Sequence, residues 1–179
     1  MKGLKITVVT VIVLLVGVYA AGYFLPSKYQ VERQIEIAAP ASAVMPLVNN
    51  FERWSEWGVW FQRDPNMQLS YQGTAATVGH QSQWTSESQG SGTMILTQVD
   101  EARIQYDLIF PEMEMQSVGE VILTQKTTAN NQTVTLVTWR DQGDVKDDIV
   151  GRYFVLFIDQ LMGPDFEQGL ANLKQRVES

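Results

Sequence analysis

The chain has 179 residues, no cysteine and one histidine, with 13 lysines and arginines against 20 aspartates and glutamates. This length fits one ordinary domain plus an appendage. The absence of cysteine excludes thiolate metal sites, a cysteine nucleophile and CxxC redox chemistry, and the acidic balance argues against nucleic-acid binding.

The N-terminal segment is apolar and long enough to cross a membrane. Twenty uncharged residues run from Ile6 to Leu25, and about 20 are needed to span a hydrocarbon core. Lys2 and Lys5 precede this run, and the positive-inside rule then places the N-terminus in the cytoplasm. We predict a signal anchor over residues 1–25, a linker over 26–28 and an extracytoplasmic domain over 29–179. This topology corresponds to a single-pass protein of a bacterial inner membrane.

A cleaved signal peptide is the alternative reading of the same segment. Small residues of the type found at cleavage sites occur at Ala20 and Ala21. The apolar run continues to Leu25, however, which gives a spanning length rather than a short apolar region. Both readings export the domain, and the length favours the uncleaved anchor.

The domain begins with a predicted strand, because polar and apolar residues alternate from Tyr29 to Ile37. Arg33 falls on the apolar side of this alternation. It either occupies a rim position or bulge, or meets a polar ligand group or a buried carboxylate.

A short helix is predicted over Ala41–Asn50, limited by Pro46. Trp54, Trp57 and Trp60 follow at intervals of three residues, which places them near one face of a helical turn. This stretch either closes one end of the core or forms the wall of an apolar ligand cavity.

The following chain has the alternation and the short turns of an antiparallel meander. Arg103–Phe110 alternates most strongly, with Tyr106 and Phe110 facing inward. Asn130 and Asn131 supply a tight hairpin, because asparagine tolerates positive φ. Trp139 has the opposite parity to Val134 and Leu136, which predicts a position outside the cavity. The predicted strands are Gln68–Gly73, Gly79–Ser88, Thr93–Val99, Arg103–Phe110, Val118–Thr127 and Gln132–Trp139.

The C-terminal third is predicted to be helical after an acidic connection over Asp141–Asp148. Its aspartates lack the spacing and the glycine of a calcium loop, and Asp147 or Asp148 is a candidate N-cap. An apolar segment over Val150–Met162 follows, then an interruption at Gly163-Pro164 and an amphipathic helix from Asp165. An antiparallel sheet with helices at its ends is an α+β fold.

Several motifs in this order resemble the polyketide cyclase/dehydrase-like branch of the START/Bet v 1 (SRPBCC) superfamily. They are Ile35–Pro40, Phe51–Trp57, Asp64-Pro65, Tyr71–Gly73, Gly90–Gly92 and Gly163–Lys174. The resemblance covers roughly Tyr29 to Glu178. It implies a helix-grip fold, in which an antiparallel sheet wraps around a long C-terminal helix. It also implies an apolar cavity that binds lipids or other hydrophobic molecules.

The candidate ligand-binding residues are therefore aromatic, with a few polar groups among them. We expect Tyr106, Arg33 and His80 to be the polar groups that face a ligand. Met113 and Met115 form either an ordinary strand edge or an adaptable lid. The full predicted set is Trp54, Trp57, Trp60, Trp84, Tyr106, Phe110, Phe154, Arg33 and His80.

Three functions follow from these features. The first is a membrane-tethered, exported domain that binds a hydrophobic small molecule or lipid, and it predicts no catalytic residue, cofactor or metal. The second is an interaction protein whose cavity is filled by its own tryptophans and whose acidic face docks a partner. The third is an enzyme of the cyclase/dehydratase kind that uses Tyr106 or His80 as acid or base.

Overall fold

A computed structural model describes residues 2–113 and 115–179. The helices are α1 (Lys2–Gly22), α2 (Ala41–Val48), α3 (Val59–Arg63), α4 (Ile149–Val155) and α5 (Ile158–Glu178), with 3₁₀ helices at Phe51–Glu56 and Pro111–Met113. The strands are β1 (Lys28–Ile37), β2 (Gln68–Gln72), β3 (Gln81–Ser86), β4 (Gly90–Val99), β5 (Arg103–Phe110), β6 (Met115–Thr127) and β7 (Thr133–Asp144).

The seven strands form one antiparallel sheet in the order β1-β7-β6-β5-β4-β3-β2. Strands β2 to β7 are a meander, since each pairs with its neighbour in sequence. Strand β1 pairs with β7, from Lys28 opposite Asp144 to Ile37 opposite Thr135. The predicted hairpin between β6 and β7 uses Asn131 at φ 61°, which confirms the turn.

Helix α5 packs against the inner face of the sheet through one row of buried apolar side chains. Phe166, Leu170 and Leu173 are buried at helical spacing. Trp139 of β7 stacks on Phe166 at 4.1 Å between ring centroids, and Gly169 leaves room for the same indole. The α+β class and the helix-grip arrangement predicted from the sequence are therefore confirmed.

Strand β7 corrects two predictions. It continues to Asp144 rather than ending at Trp139, because Asp141 and Gly143 are paired on both sides, with β1 and with β6. Its inward residues are Thr135, Val137, Trp139 and Asp141, all buried to 1 % exposure or less. Trp139 lies on this inner face and lines the cavity there, so the prediction that it lies outside the cavity is wrong. Its neighbours of opposite parity were misleading because the outer face also carries half-buried apolar groups.

The helical C-terminus also differs from the prediction. Helix α5 runs from Ile158 through Gly163 and Pro164 without interruption. The break falls earlier, at Phe157, whose φ of −116° departs from helical geometry. The side chain of Asp148 accepts a hydrogen bond from the Val150 N–H at 3.0 Å, which confirms it as the N-cap of α4.

Helix α1 is apolar and exposes its described side chains almost all round. Among the described residues one span, Lys5–Gly22, has the length and mean hydropathy, 2.1, to cross a membrane. Its C-terminal end contacts α4, and Gly22 is buried there.

Candidate ligand-binding site

A cavity of about 360 Å³ lies between the inner face of the sheet and the helices α3, α4 and α5. Its volume is within the range of roughly 300–1,000 Å³ that is usual for small-molecule pockets. Of its 23 lining residues, 18 are aromatic or aliphatic. The polar ones are Arg63, Gln89, Ser117, Asp141 and Asp165.

Two of the three charged groups neutralise each other at one side of the cavity. Arg63 of α3 forms a bidentate ion pair with Asp165 of α5. The Asp165 side chain is 13 % exposed and that of Arg63 is 47 % exposed. This pair links α3 to α5, and it leaves Asp141 as the remaining charged group of the lining.

Asp141 is part of the cavity lining and is 1 % exposed. Its Oδ2 accepts a hydrogen bond from the Ser117 hydroxyl at 2.8 Å. Its Oδ1 has no hydrogen-bond partner among the described residues. A buried acceptor without a hydrogen-bond partner destabilises the fold. A donor group of a ligand placed here would supply the missing hydrogen bond.

Burial raises the pKa of Asp141 to about 6. Its interactions with the Ser117 and Tyr29 hydroxyls oppose this shift, because they favour the charged form. Burial and the nearby Asp141 carboxyl raise the pKa of the Tyr29 phenol, so Tyr29 is a neutral hydroxyl at ordinary pH. We call this carboxyl group and its two flanking hydroxyls the polar end of the cavity.

Two glycines make room for the tyrosines at this end. Gly119 of β6 lies opposite both Tyr106 and Asp141 in the sheet, and a Cβ there would lie 2.0 Å from the Tyr106 ring. Gly143 of β7 lies opposite Tyr29, and a Cβ there would lie 2.6 Å from that ring. Both rings can therefore lie flat across the sheet and direct their hydroxyls towards the polar end.

Trp139 completes this end of the cavity. Its indole Nε1 donates to the Tyr106 hydroxyl at 2.9 Å. Its ring contacts Trp54, Trp57 and Trp60 at centroid distances of 5.2–5.7 Å. The aromatic cluster fixes the indole, and the indole fixes the Tyr106 hydroxyl.

A comparison with protein-family models identifies the family of the chain. Residues 28–178 match the model of the polyketide cyclase / dehydrase and lipid transport family. The chain belongs to this family. The SRPBCC resemblance predicted from the sequence motifs is therefore confirmed.

Solved structures share the family's fold at low identity. A solution structure from Thermobifida fusca is 20% identical, with a TM-score of 0.60 over 83% of this chain and 92% of that one. A protein from Nitrosospira multiformis is also 20% identical, with a TM-score of 0.58 over 83% and 95%. Norcoclaurine synthase from Thalictrum flavum, solved with dopamine and hydroxybenzaldehyde, is 14% identical, with a TM-score of 0.58 over 84% and 86%. No curated protein matches the chain.

Within this family fold, six of the nine predicted site residues line the cavity. They are Trp54, Trp60, Trp84, Tyr106, Phe110 and Phe154. Met113 and Met115, predicted as a strand edge or a lid, lie in the same lining.

Trp57 does not line the cavity, because it is fully buried behind it. Its Nε1 donates to the Leu47 carbonyl at 3.0 Å, and Trp54 makes the equivalent bond to Val48 at 2.9 Å. These indoles satisfy the free carbonyls at the end of α2. The tryptophan stretch thus closes the core through Trp57 and walls the cavity through Trp54 and Trp60.

His80 also lies outside the cavity, which corrects its assignment as a ligand-facing group. It is fully buried and stacks on Phe51 at 5.4 Å between ring centroids. Its Nε2 accepts the Phe51 N–H at 3.3 Å. This contact ties the start of the 3₁₀ helix to the residue before β3, so the role of His80 is structural.

Arg33 is the third predicted residue outside the lining. Its guanidinium binds Asp159 at 2.8 Å and Glu167 at 2.6 Å, and both carboxylates lie on α5. It passes over Gly163, where a Cβ would lie 1.9 Å from Nη2. Arg33 therefore links β1 to α5 and does not line the cavity.

Tyr29, Ser117, Trp139 and Asp141 were missed as site residues. The signal for Asp141 was available, since it lies on the inward parity of β7 with Val137 and Trp139. Ending the predicted strand at Trp139 hid that parity. Tyr29 has the inward parity predicted for the first strand, but the sequence does not show that it and Ser117 meet Asp141, because that contact depends on how β1, β6 and β7 pair.

Proposed function

We propose that this protein is an exported, membrane-tethered domain that binds a hydrophobic small molecule or lipid carrying a hydrogen-bond donor at its polar end. The observation that supports it is the buried Asp141 carboxyl in the lining of a largely apolar cavity. The apolar walls would take the hydrocarbon part of the ligand. The free Oδ1 of Asp141 would accept a hydroxyl or ammonium proton.

The same geometry disfavours a carboxylate ligand. Above pH 6 Asp141 is ionised, and a second anion beside it in a site of low dielectric would be strongly repelled. We therefore expect decanol to bind at pH 8 at least tenfold more tightly than decanoate. Asp141→Asn should remove most of this preference, because it removes the charge.

Binding is measured with the full chain in lipid nanodiscs, from the change in tryptophan emission on titration with decanol. Leu108→Trp fills the cavity from β5 and should reduce affinity more than tenfold. Gln105→Trp, on the outward side of the same strand, is the matched control and should bind as the wild type does. Equal binding by both variants would reject this cavity as the site.

The natural ligand is sought by native mass spectrometry of the purified full chain, followed by organic extraction. A copurifying alcohol, amine or lipid of that kind agrees with the proposal. A copurifying fatty acid bound at pH 8 contradicts the donor requirement.

The alternative of an interaction protein required a core filled by its own tryptophans. The cavity of about 360 Å³ stands against that requirement, although Trp54, Trp57 and Trp139 do fill the region behind it.

An enzyme of the cyclase/dehydratase kind has one specific observation in its favour. A carboxyl group with a pKa of about 6 is suited to acid–base chemistry near neutral pH, and this group is Asp141 rather than His80 or Tyr106. Incubation of the extracted ligand with the protein tests it. A product of altered mass that Asp141→Asn no longer forms would establish turnover. An unchanged ligand would indicate binding without catalysis.

A further inference from the structure

The exposed apolar side chains of the domain are concentrated in one segment. In the described part of residues 28–179, seven large apolar side chains are exposed, and five of them lie between residues 150 and 161. Four of the five form two pairs, each one helical turn apart: Val150 and Phe154 in α4, and Phe157 and Leu161 at the start of α5. Their exposures are 75 %, 55 %, 54 % and 55 %. We call these four residues the apolar stripe.

Three of the four residues of the apolar stripe lie at the rim of the cavity. Phe154 and Leu161 line the cavity itself. Val150 and Phe154 line a larger outer cleft of about 1,000 Å³ between α4 and the ends of β1, β6 and β7. Six lining residues are common to cleft and cavity: Tyr29, Met113, Met115, Ser117, Phe154 and Ile158. The outer cleft is therefore the mouth of the cavity. Its edge on α4 carries the exposed apolar Val150 and Phe154, whereas its edge at the strand ends carries charged groups such as Lys28 and Asp144.

Helix α4 is attached to the C-terminal end of the apolar helix α1. The Tyr153 hydroxyl donates to the Val18 carbonyl, and Arg152 Nη1 donates to the Tyr23 carbonyl at 2.9 Å. Gly22 permits close approach, since a Cβ there would lie 2.4 Å from the Ile149 side chain. These contacts hold α4 beside the last turn of α1.

This attachment sets the depth of α4 relative to a membrane that α1 spans. Val18 lies four residues before the end of α1, which is about 6 Å along the helix axis. Helices that lie in the membrane interface bury their apolar face by roughly 5–10 Å. Helix α4 therefore lies at the level of the boundary between headgroups and acyl chains.

We propose that the apolar stripe inserts into this boundary and that the cavity opens directly onto the bilayer. This inference rests on the proposed function and adds the route by which the ligand enters. An amphiphile would pass from the leaflet into the cavity between the apolar stripe and the adaptable side chains of Met113 and Met115, without crossing water. The domain carries 11 cations against 20 acids after Lys2 and Lys5, so docking is apolar and insensitive to salt.

The first test measures depth in the membrane, and the chain suits it because it contains no cysteine. Single cysteines replace Val150 and Phe157 in the full chain, which is reconstituted in phosphatidylcholine nanodiscs and labelled with a nitroxide. Val78→Cys is the matched control, because Val78 is 64 % exposed and lies between β2 and β3, at the sheet edge opposite β1. Accessibility to oxygen and to a water-soluble nickel complex is measured by power saturation.

Labels at 150 and 157 should be accessible to oxygen and protected from nickel, and the label at 78 should show the reverse. The protection should persist in 1 M salt. If all three labels are equally accessible to nickel, the apolar stripe lies in water and the inference is overturned.

The second test measures exchange with the bilayer. A dansyl-labelled decanol is placed in the nanodisc, and energy transfer from tryptophan reports its arrival in the cavity. Phe157→Glu should slow this uptake at least tenfold and leave the equilibrium affinity in detergent unchanged, because Phe157 lines neither cavity nor cleft. Unchanged uptake contradicts the inference. If the wild type shows no energy transfer to the dansyl group, the result would contradict the proposed ligand class. The accessibility of the nitroxide labels would then still show whether the apolar stripe lies in the membrane.

Discussion

Replacing Asp141 by asparagine should stabilise the protein more at high pH than at low pH. In the folded state the pKa of Asp141 is raised to about 6 from an ordinary value near 3.8. Between pH 3.8 and about pH 6, the carboxyl group of Asp141 therefore binds more protons in the folded state than in the unfolded state. Stability therefore falls as pH rises from about 4 to 6, and the loss is complete above pH 6.

The size of this loss follows from the shift. Each pKa unit corresponds to about 1.4 kcal/mol, so ionisation of Asp141 costs the fold about 3 kcal/mol at pH 8 and about 1 kcal/mol at pH 4.5. Asparagine carries no charge at either pH. The difference in unfolding free energy between Asp141→Asn and wild type should therefore grow by about 2 kcal/mol between pH 4.5 and pH 8. Any constant effect of the substitution on hydrogen bonding cancels in this comparison.

The measurement is thermal unfolding of the full chain in a non-ionic detergent, followed by near-ultraviolet circular dichroism. For a chain of this size the growth corresponds to roughly 4–8 °C in Tm. Asp107→Asn, on the outward side of β5, is the matched control and should show no such growth. A difference for Asp141→Asn that is the same at both pH values would refute a buried carboxyl with a raised pKa.

Three further substitutions test the roles assigned above, each by thermal unfolding. Gly119→Ala should destabilise by about 1–3 kcal/mol, because its methyl group meets the Tyr106 ring; unaltered stability would mean that the ring is free to move. His80→Ala should cost about 2–4 kcal/mol, from a cavity and an unpaired Phe51 N–H, and should leave decanol affinity unchanged; weakened binding would restore His80 to the site. Arg33→Ala should cost no more than about 1 kcal/mol, because both its partner carboxylates are mostly exposed; a larger, salt-independent loss would show a desolvated pair.

The sequence was sufficient to predict the fold where periodicity is strong. Tyr29–Ile37 and Arg103–Phe110 alternate cleanly, and both are strands with the expected faces inward. Phe166, Leu170 and Leu173 repeat at helical spacing, and they form the buried stripe of α5. In these segments burial on one face alone determines the pattern, so it can be read without knowledge of the neighbours.

Prediction was poorer where a residue's surroundings come from distant strands. Arg33 was correctly placed on the inward face of β1, but only the structure shows Asp159 and Glu167 on α5 beside it. His80 was predicted to face a ligand, whereas its environment is set by Phe51 and Tyr71. Asp141 was assigned to an acidic connection, and its burial results from the pairing of β7 with both β1 and β6.

The pairing of the first strand with the last one has a consequence for how the chain folds during synthesis. Lys28 pairs with Asp144 and Ile37 with Thr135, so β1 has no partner until nearly the whole domain has been made. The meander β2 to β7 can form by successive short-range contacts, whereas joining β1 requires closing a loop of about a hundred residues.

Strand β1 therefore remains without a partner after helix α1, and Val31, Ile35 and Ile37 stay uncovered until β7 has formed. Unpaired edges of this kind promote association between chains. The alternating charges of Glu32 and Glu36 on the other face, and the positive charge of Arg33, would oppose it while the strand waits. We expect the slowest folding step to be this closure, and substitutions in β1 to change the yield of folded protein more than those in β3.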